Sequence, residues 1–207
     1  PFPGHGSDLR RSFTALFKDN ALFHNHNPDG SFAYVVPKVR YLVDQGTAKL
    51  VSFREGNQEL DQLYELFEDT DICLDVLGKV FPVEEVVLIS RKASIGTVEQ
   101  PLRYRSASPW LGLNSANSKI FNRLTPLKKK DFLSNLFTAN LISLAKSLDF
   151  WIPDKIDSTI LAFQERPLRS GNLDMLGIQC SVASNIILDP LFIYVFGFEL
   201  FVKSNYR

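Results

Sequence analysis

The longest periodic stretch of the chain sets most of what it can become. After Thr125 and Pro126 comes LKKKDFLSNLFTANLISLAKSLDF, in which Phe132, Leu133, Leu136, Phe137, Leu141, Leu144 and Leu148 recur at helical spacing. Thr125 is placed to cap this helix and Pro126 to take its first position. The helix is expected to stop near Trp151, Ile152 and Pro153. Strand-like runs flank it: TVEQPLRYRSAS before, and STILAFQ, LDMLGIQCSVASNII and LFIYVFGFELFV after. PWLGLN reads as an aromatic-led turn between the first strand and the helix. This half is therefore β-α-β-β.

The first half mixes the same elements. SDLRRSFTALFK predicts a helix with Ser7 or Asp8 as N-cap and with Leu9, Phe13, Leu16 and Phe17 on one face. HNHNPDG follows as a loop. FAYVVPKVRYLVDQGTAKLVSF then holds two β-rich runs that join at Gln45 and Gly46 as a hairpin, with Pro37 favouring an edge or a bulge. GNQELDQLYELFED predicts an amphipathic helix, with Leu60, Leu63, Tyr64 and Phe67 inward and Asn57 as cap. VEEVVLISRK reads as a strand. The order α-β-β-α-β is a ferredoxin-like pattern without its first strand. The fold class is α+β, in two halves: residues 1–95, which carry the histidine pair, and residues 96–207, which carry the long helix and an atypical C-terminal strand.

Charge limits the partners. The 23 basic and 23 acidic side chains cancel, so any nucleic-acid surface must be a local patch. Two cysteines far apart, Cys73 and Cys180, exclude a disulfide framework or a Cys-rich zinc site, and both read as small buried hydrophobes. PFPGHGSDLRR lacks the basic start and apolar run of a signal peptide. The most apolar run, IILDPLFIYVFGFELFV, is broken by Asp189, Pro190 and Glu199, so no membrane span is expected. The expected setting is cytoplasmic.

Two of the three histidines, His24 and His26, sit one residue apart in LFHNHNPDG. In an extended segment they point to the same side. Imidazole titrates near neutrality, so one ring can accept a proton while the other donates one. RNA cleavage by internal transesterification needs that arrangement: a base for the 2′-OH and an acid for the departing 5′-oxygen, with no metal. The same pair could share Zn²⁺ or Fe²⁺, but no spacing nominates the third ligand. A polar turn without chemistry also fits. Residue types alone leave the three open.

The cations follow a strand period. Lys38 and Arg40 share one face, as do Arg103 and Arg105, while Tyr104 points the other way. Such pairs could line a groove that tracks phosphates, or simply be solvated strand faces. Lys128, Lys129 and Lys130 oppose the dipole of the long helix, which favours an anionic partner, although a solvated face explains them as well. Trp110 in SPWLGLN could stack on a base or plug a core. There is no P-loop, Rossmann glycine pattern, nucleophile elbow or HExxH.

Two motif blocks in order carry a resemblance. LRRSF with LFHNHNPDGSFAYVVPKVRY, and later YRSASPWLGLNSANSKIFNRL with LSNLFTANLISLAKSLDF, resemble the b-type branch of the CRISPR-associated Cas-six endoribonucleases. The likeness runs with gaps from about Ser7 to about Asn185. It implies two tandem ferredoxin-like (RRM-like) domains. It also implies a metal-independent endoribonuclease that cuts CRISPR precursor RNA within repeats and leaves 2′,3′-cyclic phosphate and 5′-OH ends. By position, His24 and His26 match the family's catalytic pair, and Lys18 is the candidate to stabilise the phosphorane. Lys38, Arg40, Arg103, Arg105, Trp110 and Lys203 are the RNA-binding candidates. Implied partners are CRISPR repeat RNA, CRISPR effector complex subunits and a second copy of the chain, with no metal, cofactor or membrane. The chain departs from the pattern twice. Only PFPGHG precedes the helix at Leu9, where the family has a strand. ILDPLFIYVFGFELFVKSNYR, with Gly197 as its one glycine, stands in place of the family's Gly-rich loop, with Lys203 and Arg207 as stand-ins. The alternatives are a non-catalytic RNA-binding homologue of the same fold, and a metal-dependent enzyme using the histidine pair.

Overall fold

A glycine lets the first helix lie against a strand. In the computed structural model, α1 spans Gly6–Leu16, and a Cβ on Gly6 would meet the Tyr41 carbonyl oxygen at 2.5 Å. The helix is capped at His5, two residues before Ser7 and three before Asp8. Asp8 sits inside the first turn and accepts the His5 N–H at 2.9 Å. The structure describes residues 1–17, 39–69, 71–170, 173–189 and 198–200, and the chain divides into unit 1, Pro1–Arg91, and unit 2, Lys92–Arg207.

In unit 1, β1 (Val39–Asp44) and β2 (Thr47–Ser52) pair antiparallel from Val39↔Ser52 to Asp44↔Thr47. Gln45 and Gly46 both have positive φ, 49° and 78°, as a two-residue hairpin turn requires. The helix α2 (Glu55–Asp69) starts before Asn57, so Asn57 is not its cap; its Oδ1 accepts the Ser52 hydroxyl at 2.8 Å. Leu9, Phe13, Val39, Leu63, Leu74 and Val76 form the core. Phe13 is its hub, with ring centroids 6.1 Å from Phe17, 6.0 Å from Tyr41 and 6.2 Å from Phe67. Leu16 turns outward instead of joining that face.

A second hairpin, β3 (Cys73–Val76) with β4 (Lys79–Pro82), is absent from the sequence reading. It turns at Leu77 and Gly78, and the Asp75 carboxylate accepts the Gly78 N–H at 2.9 Å. Alternation along β3 buries Leu74 and Val76 and puts Cys73 outside, so Cys73 is exposed and not a core residue. Residues 84–92, expected as a strand, make no ladder: β-propensity extends a chain, but a strand also needs a neighbour. No strand among the described residues precedes α1.

Unit 2 runs β5 (Ile95–Ser106), α3 (Ser115–Phe121), α4 (Pro126–Ser147), β6 (Ser158–Ser170), β7 (Leu173–Leu188) and β8 (Phe198–Leu200). Its sheet has the order β6-β7-β5-β8 with every neighbouring pair antiparallel. The first and third strands are central, which is the ferredoxin-like arrangement. The long helix α4 starts at Pro126 after Thr125, as its sequence predicts, and buries Leu133, Phe137, Leu141 and Leu144. The short α3 is capped by Asn114, whose side chain accepts the Asn117 N–H at 2.8 Å.

Two irregularities shape the sheet. The β5–β7 register shifts between Thr97 and Leu102, and the buried Tyr104 hydroxyl donates to the Ile186 carbonyl at 2.7 Å beside that break. The β6–β7 register shifts between Ile160 and Ala162. The chain is thus α+β, two ferredoxin-like units in tandem, with no strand before α1 among the described residues of the first. Among the described residues, no helix is long and apolar enough to cross a membrane.

Candidate nucleic-acid interface

Of the candidate site residues, Lys18, His24, His26, Lys38 and Lys203 lie outside the described residues. The remaining four can be placed. Arg40 is on β1 opposite Val51, on the face away from the core residues Val39 and Tyr41. Its guanidinium is half-buried, and burial pushes its pKa down. Its Nε is buried and has no hydrogen-bond partner among the described residues. An Arg stays protonated at neutral pH even so, because its ordinary pKa is above 12. A cation partly withdrawn from water attracts an anion more strongly than a solvated one does.

Arg103 and Arg105 are both exposed on β5, and Tyr104 between them is buried, as the strand period requires. Their cross-strand neighbours on β7 are Ala183 and Ser181, small side chains that leave the surface low between the arginines. On the other side Arg105 pairs in register with Glu199 of β8.

Register adds a residue that the sequence reading missed. Ser181 faces Ala162, Gln179 faces Gln164 and Gly177 faces Arg166 across β6–β7. Arg166 is exposed and shares the face of Arg103 and Arg105. Only the register shift after Ile160 reveals this, because that irregularity reverses the face expected from counting along β6.

Trp110 takes the core role. It is 8% exposed, its ring meets Phe137 edge-on at 5.8 Å, and its backbone forms a two-bond bridge to Ile178 at 2.8 and 2.9 Å. Lys129, in the basic first turn of α4, is similarly engaged. Its Nζ lies 2.6 Å from Glu165 and 4.4 Å from the centroid of the Phe121 ring. Lys128 beside it is exposed.

The fold and this open, cationic sheet face define a tandem ferredoxin-like protein. Two domain families match in order: the Cas6b N-terminal domain over residues 3–90 and the Cas6b C-terminal domain over residues 96–193. The chain belongs to the Cas6b family. A Cas6b crystal structure superposes with a TM-score of 0.79 at 24% identity, covering 95% of this chain and 91% of that one. A crystal structure of a CRISPR RNA processing endoribonuclease, also a Cas6b, gives 0.64 at 20% identity over 95% and 90% of the two chains. At these identities the likeness establishes the fold. An uncharacterized protein of Methanocaldococcus jannaschii is 26% identical over 92 residues, 44% of this chain. The match spans 63% of that relative's length, less than two thirds.

Proposed function

We propose that this protein is a metal-independent endoribonuclease that cuts CRISPR precursor RNA within its repeats. The observation that supports this most is the match of both Cas6b domains in order along the chain. In this reading one imidazole of the pair His24 and His26 takes the proton of the 2′-OH. The freed oxygen attacks the adjacent phosphorus, and the other imidazole protonates the departing 5′-oxygen. The products are a 2′,3′-cyclic phosphate and a 5′-hydroxyl. Lys18 neutralises charge on the phosphorane. Lys38, Arg40, Arg103, Arg105 and Lys203 hold the RNA backbone, and Arg166 extends that set. Trp110 contributes by tying the chain that leaves the Arg103–Arg105 strand to Ile178 of the neighbouring β7. The setting is cytoplasmic, with CRISPR effector complex subunits as further partners.

Cleavage of a cognate repeat RNA in EDTA, with no cut when the nucleotide at the cleavage site is 2′-deoxy, is the expected result. His24→Ala and His26→Ala should each lower the rate by about 100-fold or more. Cleavage of the deoxy substrate would sink the mechanism. The run ILDPLFIYVFGFELFVKSNYR, with Gly197 as its one glycine, stands where the family's Gly-rich loop is expected and supports one second reading, an RNA-binding homologue without turnover. Binding without cleavage, unchanged in both histidine variants, selects it.

A further inference from the structure

Residues 84–92, EEVVLISRK, have the composition of a strand, and among the described residues no strand pairs with them. Every one of these residues is exposed. Val86, Val87, Leu88 and Ile89 are 38%, 69%, 41% and 79% exposed, four apolar side chains in a row. Val83 N–H donates to the Ile72 carbonyl at 2.9 Å, and the Ser94 carbonyl accepts Asp189 N–H at 3.2 Å. Between those two bonds, residues 84–90 make no backbone hydrogen bond among the described residues. A β-branched run with open N–H and C=O groups is a template for pairing with another strand.

The order of charges names the partner. Two acidic residues, Glu84 and Glu85, open the segment, and two basic ones, Arg91 and Lys92, close it. Laid antiparallel on a second copy of itself about Leu88, the segment puts Glu84 against Lys92 and Glu85 against Arg91 at both ends. Val87 then faces Ile89, twice, and Leu88 faces Leu88. Residues 85, 87, 89 and 91 share one face of such a ribbon, so each apolar cross-strand pair is flanked by an ion pair on its own face. Parallel pairing would instead set Glu against Glu and Arg against Arg. A self-complementary patch of this kind is what a two-fold dimer requires. We propose that residues 84–92 form an antiparallel two-stranded ribbon with the same residues of a second copy of this chain.

A ribbon of two short strands is a small interface, so the dimer is concentration-dependent. Sedimentation equilibrium of the full chain from about 1 μM to about 1 mM should show monomer passing into dimer. The paired variants Glu84→Arg with Glu85→Arg, and Arg91→Glu with Lys92→Glu, each place like charges opposite one another at both ends. Each should weaken the dimer by about tenfold or more. Mixing the two variants should restore it as a heterodimer. The introduced cations of one then meet the introduced anions of the other, and native opposites meet at the far end. All four positions are exposed, and unchanged far-UV circular dichroism confirms that each variant is folded. A wild-type chain that stays monomeric throughout overturns the proposal. So does a dimer that survives both reversals, or a mixture that stays monomeric.

Discussion

Among the described residues, unit 2 packs one long helix on four strands, whereas unit 1 packs two helices on two separate hairpins. The sheet of unit 2 is continuous, so β7 and β5 are each paired on both edges. Both strands then present alternating faces, one to α4 and one open. Unit 1 has no central strand among its described residues, and its core forms around one aromatic hub, Phe13, where α1, β1 and α2 meet. A sheet distributes its cohesion over many rungs, while a hub concentrates it in one ring. The difference also explains where extended chain is left without a ladder, in residues 84–92 of unit 1 and its exit.

The largest test of this contrast is in unit 2. Phe137 is fully buried against Trp110, and Phe137→Ala should cost about 3–5 kcal/mol. Urea denaturation followed by tryptophan fluorescence reads it, since both tryptophans, Trp110 and the exposed Trp151, belong to unit 2. A loss below about 1 kcal/mol would mean that the sheet tolerates a cavity under its central strand.

The two thiols sharpen the comparison next. Cys73 is exposed on β3, while Cys180 is buried on β7 and burial pushes its pKa up to about 12. The native protein should react with one equivalent of a thiol reagent, and two after denaturation. The raised Cys180 pKa also carries a pH dependence. A thiol held neutral by the fold contributes stability that is fully present below the ordinary thiol pKa of about 8.5 and is lost as pH rises toward about 12. Stability measured across that window should fall, and Cys180→Ala should reduce the slope.

The smallest effect expected is in unit 1. The Ser12 hydroxyl donates to the Asp75 carbonyl and so ties α1 to β3. Ser12→Ala should cost about 1 kcal/mol in chemical denaturation. A much larger loss would show that this link holds the second hairpin in place.

Periodicity and turn chemistry made the regular parts of this fold legible in the sequence. Thr125, Pro126 and the leucine–phenylalanine spacing of α4 are local signals, and so is the Gln45–Gly46 turn. The β3–β4 hairpin escaped because its first turn residue is Leu77, held at a φ of 55° that leucine seldom adopts. Residues 84–92 carried strand propensity, but pairing is decided by what lies alongside. Arg103 and Arg105 were legible as one face because β5 alternates regularly there. Arg166 was not, because the irregularity at Ile160 to Ala162 inverts the count. Trp110 was open in sequence, since a turn tryptophan can stack on a base although it more often plugs a core, and the structure buries it against Phe137. The reading of His24 and His26 as an acid/base pair rests on their spacing and on the family.

The hairpin β6–β7 is longer than the sheet that holds it. Its rungs continue to Ser170↔Leu173, whereas β5 pairs with β7 only as far as Ser181, and Trp110 adds one bridge at Ile178. The last five pairs past that bridge form a double strand about 17 Å long with no third strand alongside among the described residues. Mechanically it is a cantilever clamped at the tryptophan. Bending stiffness falls with each strand removed from a sheet, so deflection concentrates just beyond the clamp. Gly177 sits at that point, where a Cβ would come within 2.7 Å of both Leu168 and Pro109. A single methyl there would shim the joint and reset the angle at which the arm leaves the body of unit 2.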